Sequence, residues 1–194
     1  RLSQGKLTSI STTNFMTENE EIWALHFDRA DNLWVGGVGV ARISAAGLKA
    51  VAPDPNAAGS AQPDRIMSPT AEISLFTPAQ GLSQVSNWAL YEDKDGVIWV
   101  GNGAGLNRLK DGHIFVFTKK EGLPDDRIEE ILEDDLGNFG IAWERGVFRV
   151  PRAELNDVAE GRARSVRCVA YEEWDTLPDA RINGRKSHPA GCKT

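Results

Sequence analysis

The densest run of proton-transfer groups lies between Glu129 and Asp135, which holds Glu129, Glu130, Glu133, Asp134 and Asp135. Carboxylates grouped this closely are the equipment of general acid–base catalysis. A second candidate is "GNGAG" at 101–105, whose glycine spacing resembles backbone that closes around a phosphate. His26, His113 and His188 are the groups that titrate near neutrality and favour metal ions. Cys168 and Cys192 permit one disulfide at most, lack metal-ligand spacing, and are expected as two buried thiols. Whether any of these does chemistry depends on the elements that hold them.

Those elements repeat. "VSNWALYEDKDGVIWVGNGAGLNRL" (85–109) lies over "RIEEILEDDLGNFGIAWERGVFRV" (127–150), with an acidic doublet at Glu92–Asp93 and Glu133–Asp134. The step is 41 residues, since "GL" at Gly81–Leu82 recurs at Gly122–Leu123. "EIWALHFDRADNLWVGGVGVARI" (21–43) fits the same template, one residue shorter between Gly36 and Gly39. In this register Trp34 and Trp99 share one position, Gly140 replaces them in the third copy, and Trp143 falls at Asn102.

Each copy predicts four antiparallel strands, A to D. In the second copy "NWALYED" is strand A, "KDG" a hairpin, "VIWVG" strand B, "NGAG" a turn, "LNRLK" strand C, "DG" a turn and "HIFVFT" strand D. Val, Ile, Phe and Trp fill the strands, while Gly, Asp and Asn fill the turns, where glycine supplies positive φ. A four-stranded unit of about 40 residues, repeated, is the signature of a β-propeller blade. One such sheet cannot bury both faces alone, and a tryptophan at a fixed position fills the wedge between neighbours.

The expected fold class is therefore all-β, an incomplete β-propeller of three full four-stranded blades with partial blades at both ends. Residues 1–20 read as the end of one blade, because "RLSQGKLTSIS" lies over "RLKDGHIFVFT". Blades follow at 21–82, with an Ala/Pro/Gly/Ser-rich insertion at 45–71, at 83–123, and at 124–176, with a helical insertion at 151–163. Residues 177–194 begin another. Exposed sheet faces and strand edges recruit further chains, so the remaining blades or self-association are the expected partners at the open ends.

This organisation weighs against the chemistry of the opening candidates. Glu133, Asp134 and Asp135 fall at a blade turn, where solvated charge is expected. "GNGAG" joins two strands and opens no helix, so the dinucleotide reading fails. The histidines occupy different repeat positions, with His113 beside an exposed C–D turn, and no metal set or nucleophilic triad emerges. No catalytic residue, metal or cofactor is assigned, and the chain is read as a non-enzyme. A net charge of −6 without a basic cluster excludes a nucleic-acid surface, and no apolar run is long enough to span a bilayer.

"YEDKDGVIWVGNGAGLNRLKDGHIFVFTKKEGLPDD" resembles the two-component regulator propeller repeat: acidic doublet, D-x-G turn, apolar-Trp-Val-Gly, Gly-Leu-x-Arg-Leu, then Gly-Leu-Pro. The resemblance implies a periplasmic or extracellular, non-catalytic sensor region of a hybrid two-component histidine kinase, binding oligosaccharides or other small ligands. A propeller-fold lyase or hydrolase fragment and a passive interaction scaffold are the alternatives. Strand alternation puts the D–A loops and B–C turns on one face of the disc. That face carries the candidate ligand residues Asn87, Asn102, Asp125, Arg127, Trp143, Glu144 and Arg145. Trp143 is expected as an exposed aromatic platform for a sugar, beside Glu144 and Arg145.

Overall fold

The computed structural model describes Leu2–Ser3, Lys6–Leu7 and residues 21–50 and 72–172. Residues 177–194, with His188 and Cys192, the part 51–71 of the expected insertion, and most of 1–20 lie outside the described residues. β1 (Leu2–Ser3) and β2 (Lys6–Leu7) pair antiparallel, Leu2 opposite Leu7. Three four-stranded antiparallel sheets follow, each in simple sequential strand order.

The first sheet holds β3 (Ala24–Phe27), β4 (Leu33–Gly37), β5 (Gly39–Ile43) and, after helix α1 (Ala45–Ala50), β6 (Ile73–Phe76). The second holds β7 (Asn87–Glu92), β8 (Ile98–Asn102), β9 (Gly105–Lys110) and β10 (His113–Phe117). The third holds β11 (Glu130–Glu133), β12 (Asn138–Trp143), β13 (Gly146–Pro151) and, after helix α2 (Arg152–Ala159), β14 (Val169–Glu172).

The register follows the repeat. Trp34 lies between His26 and Arg42, Trp99 between Tyr91 and Arg108, and Gly140 between Leu132 and Arg149. The turn between the first two strands is organised each time by one aspartate. Asp28 accepts from the backbone of Ala30 and Asn32 and from the Trp34 indole at 2.9 Å. Asp93 accepts from the backbone of Asp95 and Val97 and from the Trp99 indole at 2.9 Å. Asp134 accepts from Leu136 and Asn138, and with Gly140 in place of tryptophan its carboxylate lies 3.5 Å from Arg149. Gly96 and Gly137 adopt φ of +75° and +76° in these turns, and Asp31 takes the same place with φ +61°.

The sheets stack face to face, with β7 lying beside both β3 and β11. Trp34, Val40, Ile98, Val100 and Leu109 form the core between the first two sheets. Between the second and third, the fully buried Trp99 meets Phe139 edge-on at 5.0 Å and Phe117 at 6.0 Å. Burying a ring of this size is the main favourable term in such an interface.

The connectors repeat as well. Before the second sheet Thr77 and Gln80 form a capping box around Pro78–Gln80; before the third, Thr118 and Glu121 do the same around Lys119–Glu121. Each ends on a left-handed glycine, Gly81 or Gly122, and the leucine after it is buried. α2 buries Arg152, Leu155 and Val158, while Asn156 and Glu160 accept from Arg108 of the second sheet at 2.8 and 3.1 Å.

Glu133 departs from the expected solvated turn. It ends β11, accepts from the Tyr91 hydroxyl at 2.9 Å and lies 2.9 Å from Arg152. Asp134 and Asp135 are exposed, as turn residues should be.

Candidate ligand-binding face

The loops entering the first strands and the turns leaving the second strands meet on one face. Gly39 of the first sheet donates to Val85 at 2.6 Å, and Val38 pairs with Ser86. At the next junction the bond runs the other way, the loop residue Ile128 donating to the Asn102 carbonyl of the turn at 2.8 Å. Each turn is thus tied to the loop that enters the next sheet.

Two of the expected ligand residues are the ties themselves. Asn87 and Asn102 are fully buried. Asn102 donates to Asn87 at 3.1 Å and accepts from Ser83 and from the backbone of Ala104, both at 2.9 Å. Asn87 donates to Val85 at 2.7 Å and to Gly37 at 3.3 Å. Both amides build the face and are screened from solvent.

Trp143 is not the exposed platform its sequence position predicts. It closes β12 and packs into the core shared by the second and third sheets. The alternation along Asn138–Trp143 turns it inward with Phe139 and Ile141. Its neighbours Glu144 and Arg145, at the tip of the turn, are exposed as expected.

Arg127 is the centre of what remains accessible. Its guanidinium lies 5.4 Å from the Trp88 ring centre, donates to Glu129 at 2.8 Å and reaches Glu144 at 3.4 Å. Glu129 is fully buried, so Arg127 is the visible half of a pair whose carboxylate is hidden. Asp125 accepts from the Arg127 backbone at 3.0 Å and pairs with Lys119 at 2.8 Å. Burial pushes the Asp125 carboxyl up, but Lys119 and the surrounding N–H groups more than offset it, holding it below the usual carboxylate range.

Trp88 went unnoticed in the sequence, although a signal was present. "WAL" occurs at 23–25 and again at 88–90, marking a second tryptophan position in the repeat, at which the third copy has Glu129. The indole supports the turn: a Cβ on Gly103 would lie 3.1 Å from the Trp88 ring and 2.8 Å from Gln84. Arg127 therefore packs on the aromatic of one sheet and pairs with the acid of the next.

Among the described residues no group of three or more His, Cys, Asp or Glu is placed to hold a metal ion. His113 is exposed at the start of β10. Burial lowers the His26 pKa, and the nearby Glu92 and Asp28 do not offset it. Cys168 is a half-buried free thiol whose pKa burial pushes up to about 11.

Residues 81–104 match the family model described as Two component regulator propeller. In this segment the chain is similar to the repeat of that family. It runs from the entry loop through β7 and β8 into the turn at Gly103–Ala104, so the matched repeat contains the loop, strands and turn that form the second sheet's part of the face.

The fold is shared with solved extracellular domains from B. thetaiotaomicron. The chain superposes on that of the hybrid two component system BT3049 with a TM-score of 0.57 and 17% identity, covering 91% of this chain and 20% of that one. On that of the one component system BT4673 the TM-score is 0.61 at 18% identity, covering 91% and 23%. The chain thus spans about a fifth of the length of these structures. No curated protein matches the sequence. No helix among the described residues is long and apolar enough to cross a membrane.

Proposed function

We propose that this chain is a ligand-sensing segment of an extracytoplasmic propeller in a bacterial two-component signalling sensor, lying in the periplasm or outside the cell, and non-catalytic itself. The observation that carries the reading is the family match at 81–104, because the matched segment supplies Trp88, on which Arg127 packs, and the second sheet's part of the loop-and-turn face. The ligand we propose is a small hydroxyl-rich molecule, an oligosaccharide above all. Asp125, Arg127, Glu144 and Arg145 offer acceptors and donors of both signs within one patch. Trp143 is buried and the Trp88 ring is faced by Arg127, so recognition rests on charge-assisted hydrogen bonds more than on stacking.

Calorimetric titration of the chain with a panel of neutral and acidic oligosaccharides tests this. A sugar that binds the parent chain and loses about tenfold or more of its affinity on Glu144→Ala or Arg145→Ala, both at exposed positions, with thermal unfolding preserved, supports the reading. Binding indifferent to Arg127, Glu144 and Arg145 would remove the face from it. Sugar turnover abolished by one acidic substitution would favour a lyase or hydrolase instead.

A further inference from the structure

The two junctions between neighbouring sheets use the same register positions with different chemistry. His26 and Tyr91 each lie opposite the tryptophan of their own sheet, Trp34 and Trp99. Each faces a glutamate on the first strand of the next sheet. Tyr91 donates to Glu133 at 2.9 Å. His26 stands 3.9 Å from Glu92, too far for a hydrogen bond, and its Nε2 is buried without a partner.

The second and third sheets are also clasped by Arg152, which reaches Asp93, Asp95 and Glu133. Neither Tyr91 nor Arg152 changes charge near neutrality: burial and then Glu133 push the Tyr91 hydroxyl up, and a guanidinium stays charged. Between the first and second sheets the polar contacts at this end come from the turn after β3. Arg29 donates from its backbone to Glu92 at 2.9 Å and from its guanidinium to the Lys94 carbonyl at 2.7 Å. The Glu92 oxygen that His26 faces is the one already accepting from Arg29.

The charged groups around the imidazole are Glu92 from β7, Asp28 and Arg29 from the turn, and Arg42 of β5, over the Trp34 ring. Burial disfavours the imidazolium, Glu92 and Asp28 favour it, Arg29 opposes it, and burial prevails. A proton on His26 therefore meets the cost of burial with no hydrogen bond to offset it.

We infer that the junction between the first and second sheets is an acid-sensitive hinge: a proton on His26 parts these two sheets while the second and third stay together. Parting them lets the charged imidazole reach water. The far end of the same junction carries the Gly39–Val85 and Asn87–Gly37 bonds, so opening also withdraws the first sheet's turn from the loop that enters the second.

Amide hydrogen exchange of the full chain by NMR tests it, at about pH 7.5 and about pH 5.5 with rates corrected for intrinsic exchange. The Arg29 and Gly39 amides are bonded across this junction, and the Ile128 amide across the other. Opening that frees a histidine of pKa 6.5 gains up to about tenfold for each pH unit below that value. The expected result is a loss of protection of about fivefold or more at Arg29 and Gly39 at the lower pH, with Ile128 unchanged. His26→Gln, which cannot take up the proton, abolishes that loss. His26→Tyr, which installs the pair found at the other junction, abolishes it too. Protection at Arg29 and Gly39 that does not change with pH overturns the inference. So does an acid loss that persists in either variant, which assigns it to another group. A loss that Ile128 shares in step also overturns it, because the whole fold is then weakening and no single junction opens.

Discussion

Arg152, at the first turn of α2, donates 3.2 Å into the buried carboxylate of Asp93, which lies in the preceding sheet and also holds the Trp99 indole. The same guanidinium pairs with Asp95 and with Glu133. One cation thus joins the turn of the second sheet to the first strand of the third. Arg152 and Asp93 are both buried, so the pair forms where charge is costly to leave uncompensated.

Replacing Arg152 with leucine strands that carboxylate. Removing one partner of a buried pair typically costs about 3–5 kcal/mol. Urea denaturation of the variant should show a loss of that size, with Trp99 fluorescence altered because its hydrogen-bond acceptor is disturbed. A loss below 1 kcal/mol would mean that water replaces the guanidinium freely.

Two glycines should respond oppositely to the same substitution. A Cβ on Gly140 meets open space, so Gly140→Ala should be neutral or stabilise by up to about 1 kcal/mol through the unfolded chain. A Cβ on Gly101 would lie 2.6 Å from the Ile128 side chain and 3.0 Å from its carbonyl oxygen, so Gly101→Ala should destabilise by roughly 1–3 kcal/mol. Paired thermal melts give the comparison.

Stability should fall on the acid side of neutrality in part through His26. Burial lowers its pKa from 6.5, so the unfolded chain binds the proton more readily than the folded one. This contribution is intact above pH 6.5 and is lost as pH falls below 6.5 through the depressed folded value. His26→Gln should flatten the stability profile in that window. An unchanged profile would assign the slope to other groups.

Asn102→Ala should act on stability and not through any direct ligand contact. It leaves the buried Asn87 carbonyl and the Ser83 hydroxyl each without a partner, a loss of about 1–3 kcal/mol. Chemical denaturation measures it. Arg145→Ala, at an exposed position of the same turn, should show the reverse balance, with little loss of stability beside a loss of binding.

The strand register was legible because Trp34, Trp99 and Gly140 sit at one distance from an aspartate-led turn, and strand alternation carries that spacing directly into pairing. The inward turn of Trp143 was harder to read. The match to Asn102 hid it, although it shares the alternation of Phe139 and Ile141. Arg152 reads locally as the start of a helix, yet its three carboxylates come from segments 19 to 59 residues earlier. The Trp88–Arg127–Glu129 arrangement was equally hidden, since it joins side chains of two sheets whose facing is settled only when they stack. Where neighbours along a strand decide the outcome, sequence speaks plainly; where separate sheets meet, it does not.

The connectors at Thr77–Leu82 and Thr118–Leu123 satisfy their own polar groups: the threonine is capped by the glutamine or glutamate three residues on, and the leucine N–H donates back to that threonine's carbonyl at 3.2 Å in both. The turn of such a joint is fixed by its own side chains, while its leucine packs into the core of the adjoining sheets. A stretch of chain carrying one sheet and its joint therefore brings along all the local instructions for attachment, so the 41-residue unit can be copied in tandem or deleted whole without leaving a dangling end. It also lets the nascent polypeptide set each joint before the following sheet has left the ribosome. Assembly can then advance one sheet at a time, with long-range closure deferred to the last step.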